Sequence, residues 1–125
     1  MGWFPFWLVK AVGKVNVQLS KTTNMLDTAE SVTIAAGVAA ATGNSSNLIL
    51  DGAGGAADDL DSITGFSEND LVYIRCASAL RPITMVKGAG LKMPGNFVLN
   101  NTYDIWEGLC IGSNTFIEVS RKSNA

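Results

Sequence analysis

The sequence predicts an all-β chain: a compact antiparallel β-sandwich or barrel-like module with an extended N-terminal arm. Three observations carry this. Residues 58–120 break into short apolar runs, LVYIRC (71–76), ITMVK (83–87), FVLN (97–100), DIWEGLCI (104–111) and TFIEVS (115–120), rich in Val, Ile, Thr and aromatic residues. Turn formers separate them, among them Asn69-Asp70, Arg81-Pro82, Gly88-Ala89-Gly90, Pro94-Gly95-Asn96 and Gly112-Ser113-Asn114. Runs of strand length punctuated this way read as consecutive antiparallel strands. Finally, Val15, Val17 and Leu19 alternate with Lys14, Asn16, Gln18 and Ser20, the period of a strand with one buried face.

Taken in order, residues 1–12 are apolar and aromatic, with Trp3, Phe4, Phe6, Trp7, Leu8 and Val9 around Pro5. They lack the positive start and small-residue cleavage site of a secretory signal. They also fall short of the roughly 20 apolar residues a membrane-spanning helix needs. Two readings remain, an interfacial membrane anchor or an arm that packs on a protein surface, and the second is preferred because so much aromatic surface free in water would invite aggregation. These six residues, with Val15, Val17 and Leu19, are the predicted partner-binding set; the latter three suit pairing with a sheet edge. Residues 1–26 are thus read as arm and first strand, and 27–125 as the antiparallel module. Within it, SVTIAAG (31–37) reads as a strand ending in a turn, in spite of the helix-favouring alanines, and Leu48–Leu50 as a short strand. No internal repeat long enough for a solenoid is read, and no linker.

Composition narrows the function. Charged residues are 16% of the 125, against roughly a quarter in a typical soluble domain, which points to surface hidden against other chains. The nine Lys and Arg are scattered, which disfavours nucleic acid. The absence of His removes the commonest general base and metal ligand. Cys76 and Cys110 lie in apolar runs without CxxC spacing and read as buried thiols.

Candidate chemistry is weak throughout. Gly52–Ala57 matches GxGxxA formally, but Asp58-Asp59-Leu60-Asp61 follows where a pyrophosphate would sit, so a turn is the better reading. Asp58, Asp59 and Asp61 do not follow the EF-hand spacing. Asp70, Asp104, Glu107 and Glu118 are the carboxylates available for glycan hydrolysis, and nothing pairs them. Asn44-Ser45-Ser46 and Asn100-Asn101-Thr102 fit the glycosylation sequon and read as turns. No enzyme, cofactor or metal is expected. Tyr73, Phe97, Tyr103, Trp106 and Phe116 read as core or subunit-interface packing.

From Asp58 onward the chain resembles a β-module of tailed-bacteriophage virion proteins, found in tail fibres, spikes and capsid-associated subunits. The residues carrying the likeness are Asp59-Leu60-Asp61 with Ile63 and Gly65, Asp70-Leu71-Val72, Thr84, Val86-Lys87-Gly88 with Gly90, Phe97 and Leu99, Asp104, Gly112, Phe116 and Glu118-Val119-Ser120-Arg121. Phe116 stands where tryptophan is commoner, and the first 57 residues do not map. The resemblance implies a homotrimeric virion building block. With no repetitive shaft and an aromatic arm, the chain suits a capsid decoration (cement) protein at the capsid surface. Its partners would be itself and the major capsid protein, without nucleic acid or membrane. The alternative is a tail-fibre, spike or adsorption module that binds a receptor.

Overall fold

Alternating apolar side chains force strands here, but the strands wind as coils. The computed structural model describes residues 28–124. Among the described residues eleven strands form three sheets. The first coil holds β1 (Glu30–Thr33) and β2 (Val38–Ala40). The second holds β3 (Asn47–Asp51), a short 3-10 turn at Ala53–Gly55, β4 (Asp58–Leu60) and β5 (Ser62–Thr64). The third holds β6 (Leu71–Cys76), β7 (Ile83–Met85) and β8 (Leu91–Lys92).

Successive coils stack in parallel. β1 pairs with β3 and β3 with β6 on one wall, β2 with β5 on a second, and β4 with β7 on the third. Partners lie 18 residues apart between the first two coils, Glu30 opposite Leu48. They lie 26 apart between the next two, Leu48 opposite Ile74. This is a small β-solenoid of about three turns. Each coil sends alternate residues inward, so the core is a set of columns. Leu48, Ile74 and Trp106 follow one line of register across β3, β6 and β10 (Ile105–Cys110), and all three are fully buried.

The chain then turns back. Beyond Met93-Pro94-Gly95-Asn96, β9 (Phe97–Leu99) runs antiparallel along β7, and β10 runs antiparallel along β6. A hairpin returns β11 (Phe116–Lys122) along β10, with a bulge beside Gly108, and β11 also pairs in parallel with β8. The main sheet therefore has the order β1-β3-β6-β10-β11-β8. Proline explains part of the reversal: it supplies no N–H and cannot continue a central ladder. Asn96 secures it, its side-chain oxygen accepting the Lys87 N–H at 2.9 Å.

Two glycines are needed by the packing. Gly65 has φ of 102°, and a Cβ there would lie 2.0 Å from the Ala41 carbonyl, where the first two coils touch. A Cβ on Gly108 would lie 2.4 Å from the Trp106 ring. The glycine makes room for the indole within the core.

The expected antiparallel sandwich or barrel is therefore corrected, and with it the description of residues 27–125 as an antiparallel module. Five of the eight strand pairings are parallel. Inward–outward alternation and turn spacing are the same in a parallel coil as in a hairpin meander, so they do not report strand direction. The reading that no solenoid repeat exists is corrected too: the coils repeat in geometry, but their unequal lengths leave no fixed sequence period. The strand at 31–37 is found as β1, ending in a turn where Ala36 and Gly37 take positive φ. Leu48–Leu50 lies within β3.

Candidate functional site

The predicted arm and its partner-binding residues, Trp3, Phe4, Phe6, Trp7, Leu8, Val9, Val15, Val17 and Leu19, lie outside the described residues. The remaining candidates can be placed one by one.

The four carboxylates do not converge on a shared site; each is engaged in holding the fold. Asp70 accepts the Ser67 N–H at 2.9 Å in the turn before β6. Asp104 is fully buried and accepts the N–H groups of Asn100 and Asn124, which ties the chain's end to the β9–β10 connection. Asn124 is held in return: its carbonyl accepts from the Asn101 side chain, and its amide donates to the Tyr103 carbonyl. Glu118 accepts the Trp106 indole N–H at 2.9 Å and pairs with Arg121 at 2.6 Å. Arg121 donates onward to the carbonyls of Gly95 and Asn96 and stacks over the Phe97 ring. One chain of contacts thus fastens the buried indole to the reversal.

Glu107 alone of the four faces outward from the middle of the main sheet. It accepts the Ser120 hydroxyl at 2.9 Å and hydrogen-bonds the Tyr73 hydroxyl across the strand pair. That bond, with some burial, raises the Tyr73 pKa above its usual 10.0, because the phenolate would face a carboxylate.

Among the described residues no three His, Cys, Asp or Glu side chains come together as a metal site. Asp58 accepts the N–H of Asp59, and Asp61 crowds Gly37 at the corner between the first two coils. The Gly52–Ala57 stretch is the connection from β3 to β4. Beyond it Asp51 and Arg81 form a two-point ion pair, at 2.7 and 3.0 Å, that ties the second coil to the third. The Arg81 guanidinium holds the Asp51 carboxyl below its usual value of 3.8.

Both cysteines are buried and free. The β6–β10 register sets Ile74 opposite Trp106 and Leu71 opposite Leu109, so Cys76 and Cys110 lie at opposite ends of this pair. The separation is about 20 Å along the strands, far outside disulfide reach. Burial pushes the Cys76 thiol pKa up.

What sequence reasoning missed is the outer surface. Trp106 and Phe116 are core residues, as expected, but Tyr103 is 73% exposed, and Val98, Ile111, Ile117 and Val119 also face out. On the wall formed by β4, β7 and β9, Ala57, Asp58, Asp59, Pro82, Thr84 and Val98 line an open groove of about 290 Å³. The alternation in 115–120 and 104–111 contains the outward positions, but it reads them as solvent-facing only once the direction of the core is known. Searches of known protein families, of curated proteins and of solved structures find no match for this chain.

Proposed function

We propose that this chain is a structural protein of a tailed-phage particle, and that it acts as a capsid decoration protein. The observation that carries the reading is a finished solenoid core with large apolar side chains left over outside, Ile111, Ile117 and Val119 among them. A chain so poor in charge, with apolar residues to spare, suits work done by burying surface on other subunits. The resemblance to virion modules supports the same reading. Of its apolar positions, Leu60, Ile63, Val72, Leu99 and Phe116 are fully buried and Phe97 nearly so, Leu71 and Val86 are half-buried, and Val119 is exposed. Its Gly65 and Gly112 have positive φ. The shared pattern is thus the recipe for a scaffold. In this reading residues 1–12 anchor the subunit on the shell. The test is co-sedimentation with purified phage heads lacking the protein. The full chain pellets with the heads, and a version without residues 1–12 stays in the supernatant. Equal binding by both refutes the anchoring role, and no binding by either refutes decoration.

The groove beside Asp58, Asp59 and Thr84 favours a second reading, an adsorption module, because carboxylates and a hydroxyl in an open groove are suitable partners for sugar hydroxyls. Binding of the isolated protein to a glycan array, lost in Asp59→Ala, would promote that reading over decoration.

A further inference from the structure

Asp51-Gly52 is the sole Asp-Gly step in the sequence, and Asn-Gly does not occur. An aspartyl-glycyl step is the one most open to backbone isomerisation, because glycine has no side chain to shield its nitrogen. In that reaction the Gly52 nitrogen, after giving its proton to solvent, bonds to the side-chain carboxyl carbon of Asp51. One carboxyl oxygen leaves as water, and a five-membered imide ring results. Water then opens the ring at either carbonyl. One opening returns aspartate; the other gives isoaspartate, whose main chain runs through the side-chain carbons and is one methylene longer. No oxidant or further reactant is needed.

The reacting groups stand together here, and a third residue occupies them. The Gly52 N–H donates to Asp51 Oδ1 at 2.9 Å, so the nitrogen rests against the carboxyl group it would attack. Arg81 donates to the same group from Nε to Oδ1 at 2.7 Å and from Nη2 to Oδ2 at 3.0 Å. An oxygen can leave as water only once it is protonated, and a carboxylate that accepts from a guanidinium on both oxygens is held in its charged form. Arg81 is itself fixed at its main chain, where its N–H donates to the Ser78 carbonyl at 3.1 Å just before Pro82. Isomerisation would be damaging at this point. Gly52 is buried, and a Cβ on it would lie 2.0 Å from the Ala56 carbonyl, so a lengthened backbone has no room. The Asp51 carbonyl accepts the Ile34 N–H at 2.9 Å, a bond between the first two coils that the extra methylene would displace.

We propose that Asp51-Gly52 is a latent site of backbone modification and that Arg81, besides tying the second coil to the third, keeps it closed. The proposal does not rest on the virion reading.

The test is incubation of the folded full chain at physiological pH and temperature. Isoaspartate at position 51 is followed by mass spectrometry after digestion with a protease that cuts before aspartate but not before isoaspartate. Far-ultraviolet circular dichroism shows that each variant is folded. The wild type in urea is expected to isomerise at the rate of a short Asp-Gly peptide, and in buffer many times more slowly. Arg81→Gln is expected to form isoaspartate about tenfold faster than the wild type in buffer, since each unit of pKa regained by the carboxyl raises its protonated fraction about tenfold. Gly108→Ala, which crowds the core but keeps Arg81, is expected to stay close to the wild-type rate. Should Arg81→Gln unfold, Arg81→Lys replaces it; it keeps the charge, loses the two-point grip and is expected to accelerate the reaction in the same direction. A wild type that isomerises as fast in buffer as in urea overturns the proposal, as does Arg81→Gln or its replacement at the wild-type rate. So does Gly108→Ala at the rate of the Arg81 variant, because loosening of the fold would then be the cause.

Discussion

Trp106 shows how one side chain organises its neighbourhood. Its indole fills the core beneath a glycine, and its N–H is satisfied by Glu118. A methyl group at position 108 has to displace the ring. Gly108→Ala is therefore expected to cost about 1–3 kcal/mol, read as a lower urea midpoint by circular dichroism. Asp51 gives a prediction in acid. Its carboxyl is held below 3.8 by Arg81, so its contribution is present above that value and is lost as the pH falls through the lowered folded-state pKa. Asp51→Asn is expected to flatten the loss of stability in that acid window; an unchanged slope would remove Asp51 as the cause. Tyr73 behaves oppositely. Its raised pKa is expected to fall back towards 10.0 in Glu107→Gln, followed by tyrosinate absorbance in a variant with Tyr103 replaced by Phe.

Elements differ in how openly the sequence announces them. LVYIRC is β6 to the residue, and DIWEGLCI contains β10, because long alternating runs have only one buried side to choose. The Gly112-Ser113-Asn114 turn was equally plain: all three take positive φ between β10 and β11. Ser113 carries strain there that glycine would not, so Ser113→Gly is expected to be neutral or to raise stability by about 1 kcal/mol in the same melt. Strand direction, by contrast, was hidden. A tight turn and a wall-to-wall corner use the same Gly, Asn and Pro residues, and β4 and β5 are separated only by Asp61. Nor did any local signal tell that Asp104 would be buried. Its partner Asn124 lies 20 residues on, and such closure is a property of the folded chain alone. Removing the side chain leaves those N–H groups without their acceptor, so Asp104→Ala is expected to cost about 1–3 kcal/mol.

For the molecule entire, the fold was legible as all-β and strand-rich, while its architecture was not. The candidate surface was legible only as a shortage of charge. Which apolar residues remain outside depends on which way each coil faces, and Ile117 and Phe116 are neighbours in sequence with opposite fates. The buried thiols offer a global check. Cys76 and Cys110 are expected to resist a thiol reagent in buffer and to react together in denaturant, with equal gel mobility whether reduced or not. Fast labelling of one alone in buffer would mean that its end of the β6–β10 pair opens separately from the rest.

The doubling back after Met93 has a geometric result of its own. A rod of stacked coils lengthens by adding a rung at either extremity, and here one extremity is occupied by β9 and β10, which run against the coils, and by the hairpin partner β11. Among the described residues, the outer edge of β1 is thus the side on which another parallel rung has somewhere to sit. Anything joined after Asn124 departs from the layer that closes this end of the stack, so it starts away from the edge where coils succeed one another.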